Sequence, residues 1–120
     1  MLPWAVAGPV LGAVPLALAA MSAAQTAGRH LPAAAIRKES KKHGLGKRVE
    51  GVDLSGKQVL LVEDTSTTGS STLVAIKAVH DQSADVAGVL LLVDRGGAGP
   101  ITAAGVPVRS VFTGSELLAK

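Results

Sequence analysis

Residues 59–71 read V-L-L-V-E-D-T-S-T-T-G-S-S, and this stretch decides the fold. Its first four residues form an apolar run that is short enough for a buried strand. The run ends at two adjacent carboxylates, Glu63 and Asp64, after which every residue to Ser71 is Thr, Ser or Gly. Apolar residues then recur three and four positions apart, which predicts a helix from Gly69 to about Gln82. The predicted order is strand, acidic pair, hydroxyl-rich turn and helix.

The hydroxyl-rich turn is suited to binding a phosphate group. The first backbone N–H groups of a helix have no intrahelical partner, and the helix dipole favours an anion at that end. Gly69 allows the backbone to come close to a ligand, and the hydroxyl groups add hydrogen-bond donors. The alternative is purely structural: the turn only begins a helix, with Asp64 or Thr65 as its N-cap residue.

The two carboxylates indicate a sugar or metal contact. Adjacent side chains of a strand point to opposite sides, and at the C-terminal end of a parallel strand both can reach the crevice where α/β sheets bind ligands. Carboxylates accept hydrogen bonds from sugar hydroxyls, and they bind Mg²⁺ directly or through water. A phosphate site beside such carboxylates predicts a sugar phosphate as the ligand. The Walker A pattern G-x-x-x-x-G-K-[ST] is absent from the sequence.

Three segments carry a resemblance to a known family. Residues 59–71 resemble the phosphoribosyl pyrophosphate (PRPP) signature of type I phosphoribosyltransferases, whose Thr/Gly/Ser loop holds the 5′-phosphate. R-K-E-S-K-K-H-G at residues 37–44, followed by E-G at 50–51, resembles the catalytic loop of orotate phosphoribosyltransferases. G-P-V-L-G-A-V-P at residues 8–15 resembles their pyrophosphate-contacting loop, although many members have Lys where this chain has Gly12. The resemblance runs from about Ala5 to Leu118.

The resemblance implies an enzyme, an orotate phosphoribosyltransferase. Such enzymes join orotate to PRPP, giving orotidine 5′-monophosphate and pyrophosphate in pyrimidine biosynthesis. It further implies Mg²⁺ as the cofactor and a cytoplasmic homodimer, with no nucleic-acid or membrane partner. The alternative is a non-catalytic PRPP- or nucleotide-binding regulator, or an inactive fragment, on the same fold.

The resemblance also implies a role for each matching residue. Lys41, His43 and Asp64 would be catalytic, while Thr67 and Arg95 would contact orotate. The acidic pair would hold the ribose hydroxyls, the turn would hold the 5′-phosphate, and the basic loop would hold pyrophosphate. The predicted PRPP-binding residues are Arg37, Lys38, Lys41, His43, Glu63, Asp64, Thr65, Ser66, Thr67, Thr68, Gly69, Ser70 and Ser71.

Composition and charge restrict the class of protein. The 120 residues suit one domain, 1–120, and the absence of Cys excludes disulfides and thiolate metal sites and fits a reducing compartment. Six of the twelve basic residues lie from Arg37 to Arg48, with only Glu39 opposing them. This segment therefore carries a charge of +5, whereas the whole chain has a net charge of +3. The remainder is therefore acidic overall. This is a local anion-attracting patch and differs from the broad basic face with stacking aromatics that a nucleic-acid binder uses.

The segment from Leu2 to Gly28 contains no charged residue and admits three interpretations. The first is a secretory signal, which is disfavoured because the segment lacks the positive charge expected near Met1. A membrane span would be interrupted by prolines and glycines. We favour a third interpretation, with a strand at 4–7, a turn at 8–12 and an Ala-rich helix at 14–27 that has Pro15 in its first turn.

The rest of the chain continues the alternation of strands and helices. Residues 37–51 are predicted to form a loop because of their glycines and charges. Further strands are predicted at 32–36, 86–93 and 106–112, a short helix closing at 103–105, and a helical turn at 114–118. This order predicts an α/β fold with a parallel sheet flanked by helices on both faces, as in type I phosphoribosyltransferases. No part of the chain matches the N-terminal portion that precedes the first strand in that family, so the chain is predicted to be N-terminally truncated.

Overall fold

The computed structural model describes residues 4–37 and 48–118. Strands and helices alternate along most of this chain, as predicted. In chain order the elements are β1 (Trp4–Pro9), α1 (Val14–Thr26), β2 (Ala33–Ile36), β3 (Val49–Gly51), β4 (Gln58–Ser66), α2 (Ser70–Asp81), β5 (Asp85–Asp94), α3 (Ala98–Ala103), β6 (Val108–Thr113) and α4 (Gly114–Leu118).

The strands form one six-stranded sheet in the order β3-β2-β1-β4-β5-β6. The pairs β1–β2, β1–β4, β4–β5 and β5–β6 are parallel, whereas β3 runs antiparallel to β2. Helix α1 packs against one face of the sheet, and α2 and α3 pack against the other. The predicted α/β class, with helices on both faces of a largely parallel sheet, is confirmed.

Side-chain alternation along the central strands builds both faces. In β4, Val59 and Leu61 belong to the core beneath α2, whereas Leu60 and Val62 face α1. The same alternation appears in β1, where Val6 faces α1 while its two alanine neighbours face α2. Because both faces are covered, a central strand is apolar throughout, which is why the apolar run before Glu63 predicted a buried strand.

Two predicted boundaries are wrong. Val49–Gly51 were assigned to a loop but form β3, in which Glu50 pairs with Ala35. Strand β4 extends beyond the acidic pair, which was predicted to lie at its C-terminal end: it continues to Ser66, because β5 supplies backbone partners as far as Asp94. Pairing with a neighbouring strand can thus hold polar residues in a strand that their own sequence does not indicate.

The uncharged N-terminal segment divides as the third interpretation predicted. Strand β1 lies in the middle of the sheet, and α1 begins at Val14 with Pro15 in its first turn. Within the described ranges, no helix combines the length and apolar character that crossing a membrane requires.

Candidate active site

Most of the predicted PRPP-binding residues lie at the C-terminal end of β4 and in the turn that follows. Glu63 and Asp64 are within β4, and their side chains point to opposite faces of the sheet, as predicted. Glu63 is only 5% exposed, and its Oε2 accepts a hydrogen bond from Thr72 Oγ1 at 3.0 Å. Asp64 is exposed, and its Oδ1 accepts a hydrogen bond from the Thr65 amide at 2.8 Å. Only one of the two acids therefore presents its carboxylate to solvent.

Asp64 lies beside Gly12 in the segment after β1. A Cβ atom built at Gly12 would overlap the Asp64 carboxylate. The Asp64 carboxylate therefore occupies the space that a side chain at position 12 would enter. The segment at 8–15 and the acidic pair thus come together at one edge of the site, although Gly12 and Asp64 are 52 positions apart in the sequence.

The turn between β4 and α2 is held against the start of α3. Gly97 packs directly on Ser66, whose carbonyl accepts the amides of Arg95 and Gly97 at 2.8 and 3.2 Å. Gly69 has φ +79°, and a Cβ atom there would lie 2.9 Å from the Gly97 carbonyl oxygen. The need for glycine at position 69 therefore comes from this close approach of two backbone segments as well as from the positive φ.

The first turn of α2 directs backbone amides towards the site. Its N-cap residue is Gly69, so the structural alternative in which Asp64 or Thr65 caps the helix is wrong. Thr68 Oγ1 accepts the Ser70 amide at 3.3 Å, and the Leu73 amide bonds to the Gly69 carbonyl at 2.9 Å. The amides of Ser71 and Thr72 have no acceptor among the described residues. This arrangement offers an anion two N–H groups and the adjacent hydroxyls.

A basic residue without a predicted role borders this turn. Arg48 lines a cleft of about 260 Å³ together with Ser70, Ser71 and the apolar side chains of Pro9, Ile36, Val74 and Ala75. The Arg48 Nε donates to the Arg37 carbonyl at 2.9 Å, and the Arg37 amide donates to the Arg48 carbonyl at 2.7 Å. In the sequence Arg48 belongs to the basic patch, but no local pattern indicates that it lies beside α2. That position depends on the pairing of β3 with β2.

The remaining predicted residues belong to the basic loop or follow β5. Arg37 follows β2 and pairs with Glu50, with 3.2 Å between Nε and Oε1, while Lys38, Lys41 and His43 lie outside the described residues. Arg95 is exposed beyond the end of β5, and the bond from its amide to Ser66 brings it next to the turn that contains Thr67. Asp94 Oδ1 accepts the amides of Gly96 and Ala98 at 2.8 and 3.3 Å and so fixes the start of α3.

Known proteins resemble this chain in sequence. No protein-family model matches it. The orotate phosphoribosyltransferase of Streptomyces avermitilis is 50% identical over 116 residues, which cover 94% of this chain and 64% of that protein. The orotate phosphoribosyltransferase of Corynebacterium glutamicum is 50% identical over 115 residues, with 94% and 61% covered.

The resemblance extends to the fold. The crystal structure of Mycobacterium tuberculosis orotate phosphoribosyltransferase in complex with PRPP has a TM-score of 0.80 and 42% identity, covering 94% of this chain and 64% of that one. This chain is a homologue of the orotate phosphoribosyltransferases. The resemblance inferred from the three sequence segments is thereby confirmed. The chain spans less than two thirds of the length of these relatives.

Proposed function

We propose that this chain acts as an orotate phosphoribosyltransferase, transferring the 5-phosphoribosyl group of PRPP to orotate. In this reaction the bond between ribose C1 and a pyrophosphate oxygen breaks, a bond from C1 to an orotate ring nitrogen forms as that nitrogen loses its proton to solvent, and pyrophosphate leaves. The observation that carries the proposal is the β4–α2 segment, which joins an exposed carboxylate to the amide-rich start of a helix. Homology to orotate phosphoribosyltransferases, one of them determined with PRPP, supports it.

The phosphate end of PRPP would bind at the start of α2. The amides of Ser71 and Thr72 and the hydroxyls of the turn supply donors, and the helix dipole adds a partial positive charge. The predicted contacts of this group are Thr65, Ser66, Thr67, Thr68, Gly69, Ser70 and Ser71. Ser66 is 6% exposed, so its contribution is to the packing against Gly97 as much as to the ligand.

The ribose hydroxyls would be held by Asp64, because its carboxylate is exposed at the same edge of the sheet. Its position also fits Mg²⁺, which takes one or two protein carboxylates and otherwise uses water and substrate phosphates. When bound, Mg²⁺ would supply charge stabilisation to the diphosphate. Among the described residues, no group of three or more acidic or histidine side chains could hold a metal ion.

The reaction needs cations where pyrophosphate departs and a recognition surface for orotate. Negative charge grows on the leaving group as its bond to C1 breaks, and Arg37, Lys38, Lys41 and His43 would stabilise that charge. Thr67 and Arg95, on adjacent turns, would contact orotate. We further propose that the protein works as a cytoplasmic homodimer, since that is what the family resemblance implies.

The test is turnover. With PRPP and Mg²⁺ present, orotate absorbance should fall with time, and chelation of Mg²⁺ should stop the loss. Lys41→Ala should lower kcat by a factor of at least about 100, the usual size of one charge-stabilising contact. Lys57→Ala is the matched control, because the Lys57 ammonium donates to the Asp53 carbonyl at 2.6 Å, away from the turn. Equal effects of the two substitutions would refute the role of the basic loop, and PRPP binding without turnover would favour the non-catalytic alternative.

A further inference from the structure

Arg95 lies beside the last helical turn of the described chain. The parallel pairing of β5 with β6 ends at Asp94 and Thr113. The residues that follow these two, Arg95 and Gly114, are therefore neighbours. A Cβ atom built at Gly114 would lie 3.2 Å from Arg95 Cγ and 3.9 Å from Arg95 Cβ. The aliphatic stem of Arg95 thus lies against the first residue of α4.

The backbone of Arg95 is fixed separately from that contact. Its amide donates to the Ser66 carbonyl at 2.8 Å, and the amide of the next residue, Gly96, donates to Asp94 Oδ1 at 2.8 Å. The Arg95 side chain is exposed, and a long exposed side chain samples several rotamers unless packing restricts it. The contact with Gly114 is suited to restrict the side chain, whereas the end of β5 already holds the backbone.

The position of α4 depends on its cap. The helix has five residues, which is too short for stability in isolation, and its two leucines, Leu117 and Leu118, are exposed. Thr113 Oγ1 accepts the Glu116 amide at 3.2 Å and lies 3.0 Å from Glu116 Oε1. A Thr before the helix and a Glu three residues later are the residues of a capping box. The Thr113 hydroxyl therefore holds α4 in the place where it contacts Arg95.

We infer that Thr113 is a positioning residue for orotate: by capping α4 it keeps this turn against the stem of Arg95, so that the guanidinium group is oriented before the pyrimidine binds. The inference rests on the proposed function, in which Arg95 contacts orotate. Orotate carries a carboxylate, and a planar guanidinium binds a carboxylate through two parallel hydrogen bonds in a narrow range of orientations. Restricting the rotamers beforehand lowers the entropy cost of that contact, so the effect falls on orotate and spares PRPP.

Steady-state kinetics with each substrate varied in turn tests the role of Thr113. Thr113→Val removes the capping oxygen and keeps the shape, and it should raise KM for orotate by about three- to tenfold while KM for PRPP stays within about twofold of the parent. Thr113→Ser retains the hydroxyl and should restore KM for orotate to the value of the parent. The matched control is Thr102→Val, the same substitution at an exposed position of α3, which should change neither constant.

A double-mutant cycle determines whether Thr113 acts through Arg95. Arg95→Ala alone should raise KM for orotate more than Thr113→Val does, because it removes the guanidinium itself. Adding Thr113→Val to Arg95→Ala should then change KM no further, since no guanidinium remains to be oriented. The inference is overturned if Thr113→Val raises KM for orotate by the same factor in both backgrounds, or raises KM for PRPP as much as KM for orotate.

NMR relaxation of the Arg95 Nε–H group tests the inference independently of turnover. In Thr113→Val the nitrogen–proton NOE of this group should fall, because the side chain gains motion on the picosecond-to-nanosecond timescale, and in Thr102→Val it should match the parent. An unchanged NOE in Thr113→Val overturns the inference even when orotate is converted. A fall of the NOE in a chain that does not convert orotate would support the contact between α4 and Arg95 and refute the catalytic proposal.

Discussion

The two faces of the sheet are packed to different depths. On the face covered by α2 and α3, large side chains such as Leu61, Leu91 and Ile101 are fully buried. On the face covered by α1, the buried cluster is small, with Val6, Ala17 and Val62 at its centre, and Leu92 and Val111 remain 37% and 52% exposed.

The difference follows from the helices. Alanines make up much of the α1 sequence VPLALAAMSAAQT, so α1 covers little area per turn, whereas α2 contributes Ile76 and Val79 to the core. The acidic pair follows the same division, with Glu63 buried on the tightly packed face and Asp64 exposed on the other. Tight packing therefore fixes the start of α2, while the opposite face leaves a carboxylate accessible to a ligand.

The largest expected effect tests the difference between the two faces by replacing each of two adjacent leucines with alanine. Leu61→Ala, on the α2 face, should lower the free energy of unfolding by about 3 kcal/mol, since Leu61 is fully buried and the surrounding core leaves a cavity. Leu60→Ala, on the α1 face, should cost no more than about half as much, because Leu60 is only partly buried. Urea denaturation measures both, and equal losses would show that the faces do not differ.

A smaller effect is expected from two glycines that contact residues near the end of β4. Gly97→Ala places a methyl group against Ser66, including a backbone carbon 2.9 Å away, and should destabilise the fold by about 1–3 kcal/mol. Gly12→Ala meets the end of a flexible side chain, that of Asp64, and should cost no more than about 0.5 kcal/mol. Its effect should be on PRPP affinity, because Asp64 must move. Thermal unfolding and calorimetry separate the two, and a larger loss of stability from Gly12→Ala would contradict the comparison.

The smallest effect concerns the outer surface of α2. Lys77 Nζ lies 3.0 Å from Asp81 Oδ2, and the two side chains are 76% and 57% exposed. Because solvent screens such a pair, Lys77→Ala should change the free energy of unfolding by no more than about 0.5 kcal/mol. It should leave PRPP affinity unchanged. A loss above about 1 kcal/mol would mean that α2 is held by its exposed surface as well as by its buried one.

The sequence predicted the parts of the fold that local pattern encodes. The alternation of apolar strands with helices, the start of α1 at Val14 and the helix after Gly69 all follow from residue spacing, because backbone geometry fixes the period of each element. The boundaries at β3 and at the end of β4 were missed, because both depend on hydrogen bonds to strands that lie elsewhere in the chain. Polar residues such as Glu63 to Ser66 extend a strand only when a neighbour pairs with them.

For the candidate site, too, some features follow from the local sequence and others depend on the tertiary structure. By itself the sequence determined which chemical groups follow one another, since two acids, seven small turn residues and a helix start occur at fixed spacing, and from these it predicted an anion and diol site. Only the tertiary structure decided how these groups are used: that Glu63 is covered by α2 and Asp64 is not, that Gly97 supports Ser66, and that Arg48 lies beside Ser70. The physical reason is that burial and close approach depend on residues distant in sequence, whose positions are set when the sheet closes against its helices.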